Sequence, residues 1–129
     1  MNRKILQVSG FMLLSLLSMS TGWSQKELSK VIRYTAFTVT TRQNKVMIDW
    51  ATDSKVVTNY FEIQKSEDGM NYKTIALVLG PDPKQPNCDC YSAIDNQKQK
   101  PSRQAYYRLK HIDTEGIIQY SESKLWAKS

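Results

Sequence analysis

Beyond residue 30 the chain carries apolar and polar side chains in short alternating runs, and no stretch holds the 3, 4, 7 spacing of a buried helix face for long. Runs rich in Val, Ile, Thr, Tyr, Phe and Trp predict strands. Val31 to Thr41 places Phe37 and Val39 on one face. In Lys45 to Thr52, Val46, Ile48 and Trp50 alternate with Lys45, Met47 and Asp49, which buries one side of the strand and leaves the other largely wet. Asn59 to Ser66 repeats the pattern with Phe61 and Ile63 opposite Glu62 and Gln64. Glu67, Asp68 and Gly69 then supply a hairpin turn, because Gly takes positive φ at little cost.

Tyr72 to Leu79 is the return strand, but Tyr72, Ile75 and Val78 are spaced by three, which alternation places on one face only with a bulge. Pro81, Pro83 and Pro86 make the segment from Gly80 to Asn87 a loop. Tyr91 to Ile94 reads as a short edge strand, and Asp95 to Gln104, with Lys98, Lys100, Pro101 and Arg103, as a solvated loop. Alternation resumes from Ala105 to Ile112, Tyr107 and Leu109 against Tyr106, Arg108 and Lys110. Thr114, Glu115 and Gly116 turn the chain into a final strand, Ile117 to Trp126. About seven strands at short intervals predict an all-β, antiparallel sandwich, with Trp50, Phe61, Ile63, Tyr107 and Leu109 in its core and Asp68, Gly69 and Gly116 at its turns.

The first residues follow a different pattern. Arg3 and Lys4 precede an apolar stretch containing Phe11, Met12, Leu13, Leu14, Leu16 and Leu17, a charged n-region followed by an h-region. Ser9, Gly10 and Ser15 interrupt it, so it falls short of the ~18–20 apolar residues of a spanning helix. Gly22 and Ser24 place small side chains where a signal peptidase reads them, so cleavage is expected between Ser24 and Gln25. The expected products are a signal peptide, residues 1–24, and one exported domain, residues 25–129, with no transmembrane segment. Loss of Arg3 and Lys4 takes the formal charge from +6 to +4. That balance is ordinary for a soluble domain and gives little reason to expect nucleic-acid binding.

One family shares the order of residues. Trp50 and Thr52, the run from Asn59 to Gln64 with Ser66, Asp68 and Gly69, then Tyr72 and Ile75, then Tyr106 to Lys110 with Ile112, Asp113, Gly116, Tyr120 and Ser121, resemble the fibronectin type III-like sandwich of large secreted Bacteroidetes proteins. The resemblance covers roughly residues 45 to 121. It implies an immunoglobulin/fibronectin type III-like sandwich serving as a spacer or interaction module, without catalytic residues, and Tyr107 as a tyrosine corner whose hydroxyl caps a backbone group. Such modules usually precede a sorting domain for type IX secretion, and the eight residues after Ser121 lead us to expect none here. The periplasm is therefore the expected location, ahead of the cell surface or the exterior.

Cys88-Asp89-Cys90 is the feature a sandwich does not require. Outside the cytoplasm the pair is expected to form a disulfide, an i to i+2 link near the long end of the ~4.4–6.8 Å Cα range. An exposed, labile disulfide suits thiol-redox work, and paired thiolates suit a soft ion such as Cu(I). His111 is the only histidine and lies on another predicted strand, so Cys88 and Cys90 lack further ligands. On that strand His111 reads as half-exposed, with Asp113 on the same face and no serine in a nucleophile-elbow pattern. Glu67, Asp68, Asp113 and Glu115 read as turn formers. The expectation is a non-enzymatic module without a cofactor that binds another envelope or extracellular protein or a surface polymer. The alternative is a small thiol-redox or copper-binding factor.

Overall fold

The computed structural model describes residues 31–53, 55–96 and 103–128. The proposed signal peptide and the basic residues Lys98 and Lys100 lie outside these. Eight strands follow one another: β1 (Tyr34–Arg42), β2 (Lys45–Thr52), β3 (Thr58–Ser66), β4 (Lys73–Val78), β5 (Cys90–Asp95), β6 (Gln104–Asp113), β7 (Ile118–Tyr120) and β8 (Lys124–Ala127). All pair antiparallel, in a three-stranded sheet ordered β1-β2-β5 and a five-stranded sheet ordered β4-β3-β6-β7, with β8 also on β6. The molecule is an all-β sandwich.

Hairpin chemistry sets the local connections. Gln43 and Asn44 join β1 to β2 with positive φ values of 53° and 64°, a two-residue turn of the kind whose twist matches the strands it connects. Asp68 organises the β3–β4 turn: its carboxylate accepts the amides of Met70 and Asn71 and the Ser66 hydroxyl, which holds its pKa well below the usual carboxylate range. Gly69 sits there at φ +77°, and a Cβ on it would lie 3.3 Å from the Tyr106 ring, so both backbone and space favour glycine. Asp113 works the same way in the next turn, accepting the amides of Glu115 and Ile117 while Gly116 takes φ +83°.

The irregularities have local causes. The register slips between Ile63 and Gln64, which leaves Ile75 as the extra residue on β4 and turns Ile75, Ala76 and Val78 toward the core. The predicted last strand is instead two short ones. Ser121 breaks it by using both its amide and its hydroxyl on the backbone of Leu109, after which β8 pairs with β6 one register step later. These two occupy a single strand position, which accounts for eight strands where the pattern predicts about seven.

Between the sheets, Ile48, Trp50, Phe61, Ile63, Tyr91, Tyr107 and Leu109 are buried. Phe61 is the centre of an aromatic cluster, edge-on to Trp50 at 5.3 Å and to Tyr91 at 4.8 Å, while Trp50 and Tyr91 stack at 5.6 Å across the β2–β5 pair. Polar links tie the sheets together at their rims. The Lys65 ammonium and the Tyr107 hydroxyl each reach Asp95 Oδ2 at 2.7 Å, and Trp126 Nε1 donates to Thr41 Oγ1 at 2.8 Å.

Two expectations change here. Tyr107 donates to the side chain of Asp95 on the opposite sheet and not to a backbone group, so it is not a tyrosine corner of the usual kind. Asp95 is not a solvated loop residue: it ends β5, and its side chain is only 5% exposed because two donors draw it between the sheets.

Candidate interaction site

The sulfurs of Cys88 and Cys90 are joined in a disulfide, with a Cα separation of 5.1 Å, inside the ordinary range and not near its long end. Both residues are half-buried. The loop before them is built by turn bonds: Lys84 N donates to Asp82 Oδ1, Gln85 N to the Asp82 carbonyl, Cys88 N to the Gln85 carbonyl, and Asp82 N to the Cys90 carbonyl. It stands beside the outer face of β1, β2 and β5 and leaves an open cleft of about 480 Å³ lined by residues that include Thr38, Met47, Asp49, Asp82 and Lys84. Charges of both signs line it. In the disulfide neither sulfur is a thiolate, so this form does not present the soft ligands Cu(I) takes. Among the described residues no group of three or more His, Cys, Asp or Glu side chains is arranged to hold a metal ion.

A link spanning so few residues constrains the unfolded chain little, about 1.6 kcal/mol by loop entropy. The Cys88→Ser/Cys90→Ser variant is expected to lose roughly that much stability in urea unfolding and still fold. Failure to fold would show that the link carries more than loop closure.

His111 is fully buried, not half-exposed, because its face of β6 packs inward. Its Nε2 lies 3.0 Å from Thr58 Oγ1 and its ring 5.0 Å from that of Phe61, while Nδ1 has no hydrogen-bond partner among the described residues. Burial lowers its pKa, against a smaller upward pull from Asp113. The unfolded chain therefore takes up this proton more readily than the folded one. Stability is expected to be full above the unfolded value of about 6.5 and to fall as pH drops from there through the folded pKa. Unfolding midpoints measured from above pH ~7 down to about pH 5 check this. A His111→Leu variant that keeps the wild-type slope would contradict the assignment.

The outer face of the larger sheet is also structured. The Arg108 guanidinium lies 3.9 Å from the Tyr72 ring centre and 4.3 Å from that of Tyr120, and its Nε donates to Gln64 Oε1. Lys110 pairs with Glu62 at 3.2 Å. These side chains largely satisfy one another.

The strand edges differ more. The β4 edge begins at Lys73 and carries the Ile75 bulge. The β7/β8 edge is broken at Ser121 and flanked by Glu122 and Lys124. The β5 edge lies between the disulfide and Asp95. Lysines, bulges and short strands are the usual means by which proteins keep an edge from pairing. On β1 they are nearly absent: nine residues, YTAFTVTTR, with no proline, no charge before Arg42 and one irregularity, near Tyr34. Alternation and β-branching made β1 recognisable as a strand, but its place at an edge follows from pairing that the sequence does not display.

No protein-family model matches the chain. No characterised protein matches it in sequence. Two crystal structures of a pectate lyase from Pectobacterium carotovorum share the fold over 72% of this chain and 26% of theirs, at 15% and 14% identity and a TM-score of 0.55. A β-1,2-glucanase from Parabacteroides distasonis overlaps 77% of this chain and 14% of its own, at 18% identity and a TM-score of 0.41. The chain thus spans about a quarter of the pectate lyase, and that likeness extends to the fold alone.

Proposed function

We propose that the protein is an exported, non-enzymatic β-sandwich module that binds another envelope protein by accepting a strand along the β1 edge. The observation that carries this reading is that, among the described residues, β1 is the longest strand at a sheet edge, nine residues with no charge before Arg42, beside edges of six residues or fewer on β4, β5 and β7/β8. An edge strand offers a row of unpaired N–H and C=O groups, and an extended partner segment satisfies them while its side chains meet the two sheet faces. The n-region and h-region before residue 25 support export, and the resemblance to sandwich modules of secreted proteins supports a binding role.

Capture from envelope extracts tests this. Wild-type protein and a Thr74→Lys control on β4 are expected to recover the same partner, and Thr38→Lys on the β1 edge to lose it. Equal recovery by Thr38→Lys would overturn the reading.

A second reading rests on the half-buried disulfide beside the open cleft. In it Cys88 and Cys90 exchange electrons with a dithiol partner, the disulfide being reduced to two thiols as the partner is oxidised. A Cys88→Ser/Cys90→Ser variant with unchanged partner and phenotype would dismiss it.

A further inference from the structure

We infer that the cleft on the outer face of β1, β2 and β5 is a binding site for a neutral oligosaccharide. It goes beyond the β1-edge reading, because it uses side chains on the sheet face and none of the edge's main-chain groups. The strand register builds its floor. Thr38 lies opposite Asp49 and Asp49 opposite Ser92, so a hydroxyl, a carboxylate and a second hydroxyl form a row across three strands, each about 5 Å from the next. Beside that row Ala36 lies opposite Ala51 and Ala51 opposite Cys90, small side chains that keep the floor low next to the wall made by Asp82, Lys84 and Gln85. The wall is fixed before a ligand arrives: Asp82 N donates to the Cys90 carbonyl at 2.7 Å, and the Cys88–Cys90 disulfide ties down the other end of the loop.

The chemistry of the lining selects the ligand. Its charged side chains, Arg42, Lys84, Asp49 and Asp82, sum to zero, so the cleft has no net attraction for an ion of either sign. β2 is paired on both sides, so the main chain of the floor is engaged within the sheet and contact falls to side chains. Asp49 Oδ1 accepts from the Ser92 hydroxyl and Asp82 Oδ1 from the Lys84 amide, while the other oxygen of each carboxylate has no hydrogen-bond partner among the described residues. Those oxygens call for donors, and Arg42, Lys84 and Gln85 call for acceptors. A sugar hydroxyl is both. Ala36, Ala51 and Met47 offer carbon surface to the C–H faces of the rings, and a volume of about 480 Å³ is in the range of small-ligand sites. The Trp50 and Tyr91 rings are buried between the sheets and give no stacking platform in the cleft, so affinity is low, with a dissociation constant on the order of 1 mM.

Chemical-shift perturbation by NMR tests this. The 15N-labelled protein, purified as the cell makes it, is titrated to about 20 mM with cellotetraose, maltotetraose and laminaritetraose, and in parallel with anionic tetragalacturonate and cationic tetralysine. At least one neutral sugar is expected to shift the amides of Asp49, Gln85 and Ser92 saturably and to leave those of Tyr72 and Arg108, on the other outer face, in place. Asp49→Ala and Lys84→Ala should each weaken that binding at least about tenfold, Thr74→Ala should not, and dispersed spectra confirm that all three variants fold. Absence of such shifts with every neutral sugar, saturable shifts with tetragalacturonate or tetralysine alone, or binding left unchanged by either cleft substitution would overturn the inference. Capture of a partner at β1 is read separately, so either result can fail while the other stands.

Discussion

Phe61→Ala is expected to lower the unfolding free energy by about 3–5 kcal/mol, the range for removing a fully buried aromatic ring. Phe61 is completely inaccessible, and it is where both sheets meet: Trp50 and Tyr91 approach it from the smaller sheet and His111 lies beside it on the larger. Truncation would leave a cavity that the stacked Trp50–Tyr91 pair, held by strand register, fills poorly. A domain of this size has roughly 5–15 kcal/mol of stability, so the variant should lie close to the unfolding threshold. Denaturant unfolding of wild type and variant gives the difference. A loss below about 1 kcal/mol would mean that the ring is not the packing centre.

Asp95→Ala is the second large effect, also about 3–5 kcal/mol, and its cause is electrostatic. Asp95 accepts from Lys65 and Tyr107, with the Lys65 side chain 17% exposed and its own only 5%. Removing the carboxylate strands an ammonium and a hydroxyl in a largely dry site, where an unpaired charge costs more than the pair contributes. Asp95→Asn keeps an oxygen to accept from Tyr107 and should cost clearly less. Equal losses in the two variants would show that packing, and not the charge, holds this corner.

What the sequence displays and what it conceals differ by physical kind. Period-two alternation reports which face a strand buries, so Val46, Ile48 and Trp50 on β2, and Tyr107 and Leu109 on β6, are legible as core positions. The three-residue spacing of Ile75 and Val78 likewise announces the β4 bulge, and Asp68-Gly69 announces its turn. Asp95 is not legible, because its burial comes from two donors on the opposite sheet, Lys65 and Tyr107, thirty and twelve positions along the chain. His111 was open to misreading for a related reason: a single polar residue in an alternating strand shows which face it shares but not how deeply neighbours cover it. The break at Ser121 depends on one hydroxyl reaching the backbone of Leu109, a choice that local composition does not reveal.

The candidate site is concealed in the same way. The run from Tyr34 to Arg42 looks like other strands in the sequence, whereas Cys88 and Cys90 stand out by residue type alone. Only the pairing order shows that β1 ends its sheet among the described residues, and only comparison with the other edges shows that it is the longest of them.

Site-specific photo-cross-linking in intact cells tests the central claim most directly. A photoreactive residue is placed in turn at Thr38 and Thr40 on β1, at Thr74 and Leu77 on β4, and at Ser92 on β5. Adducts are expected from the two β1 positions and not from β4 or β5. Adducts from β4 or β5 with none from β1, or no adduct at any position, would contradict the assignment of β1 as the binding edge.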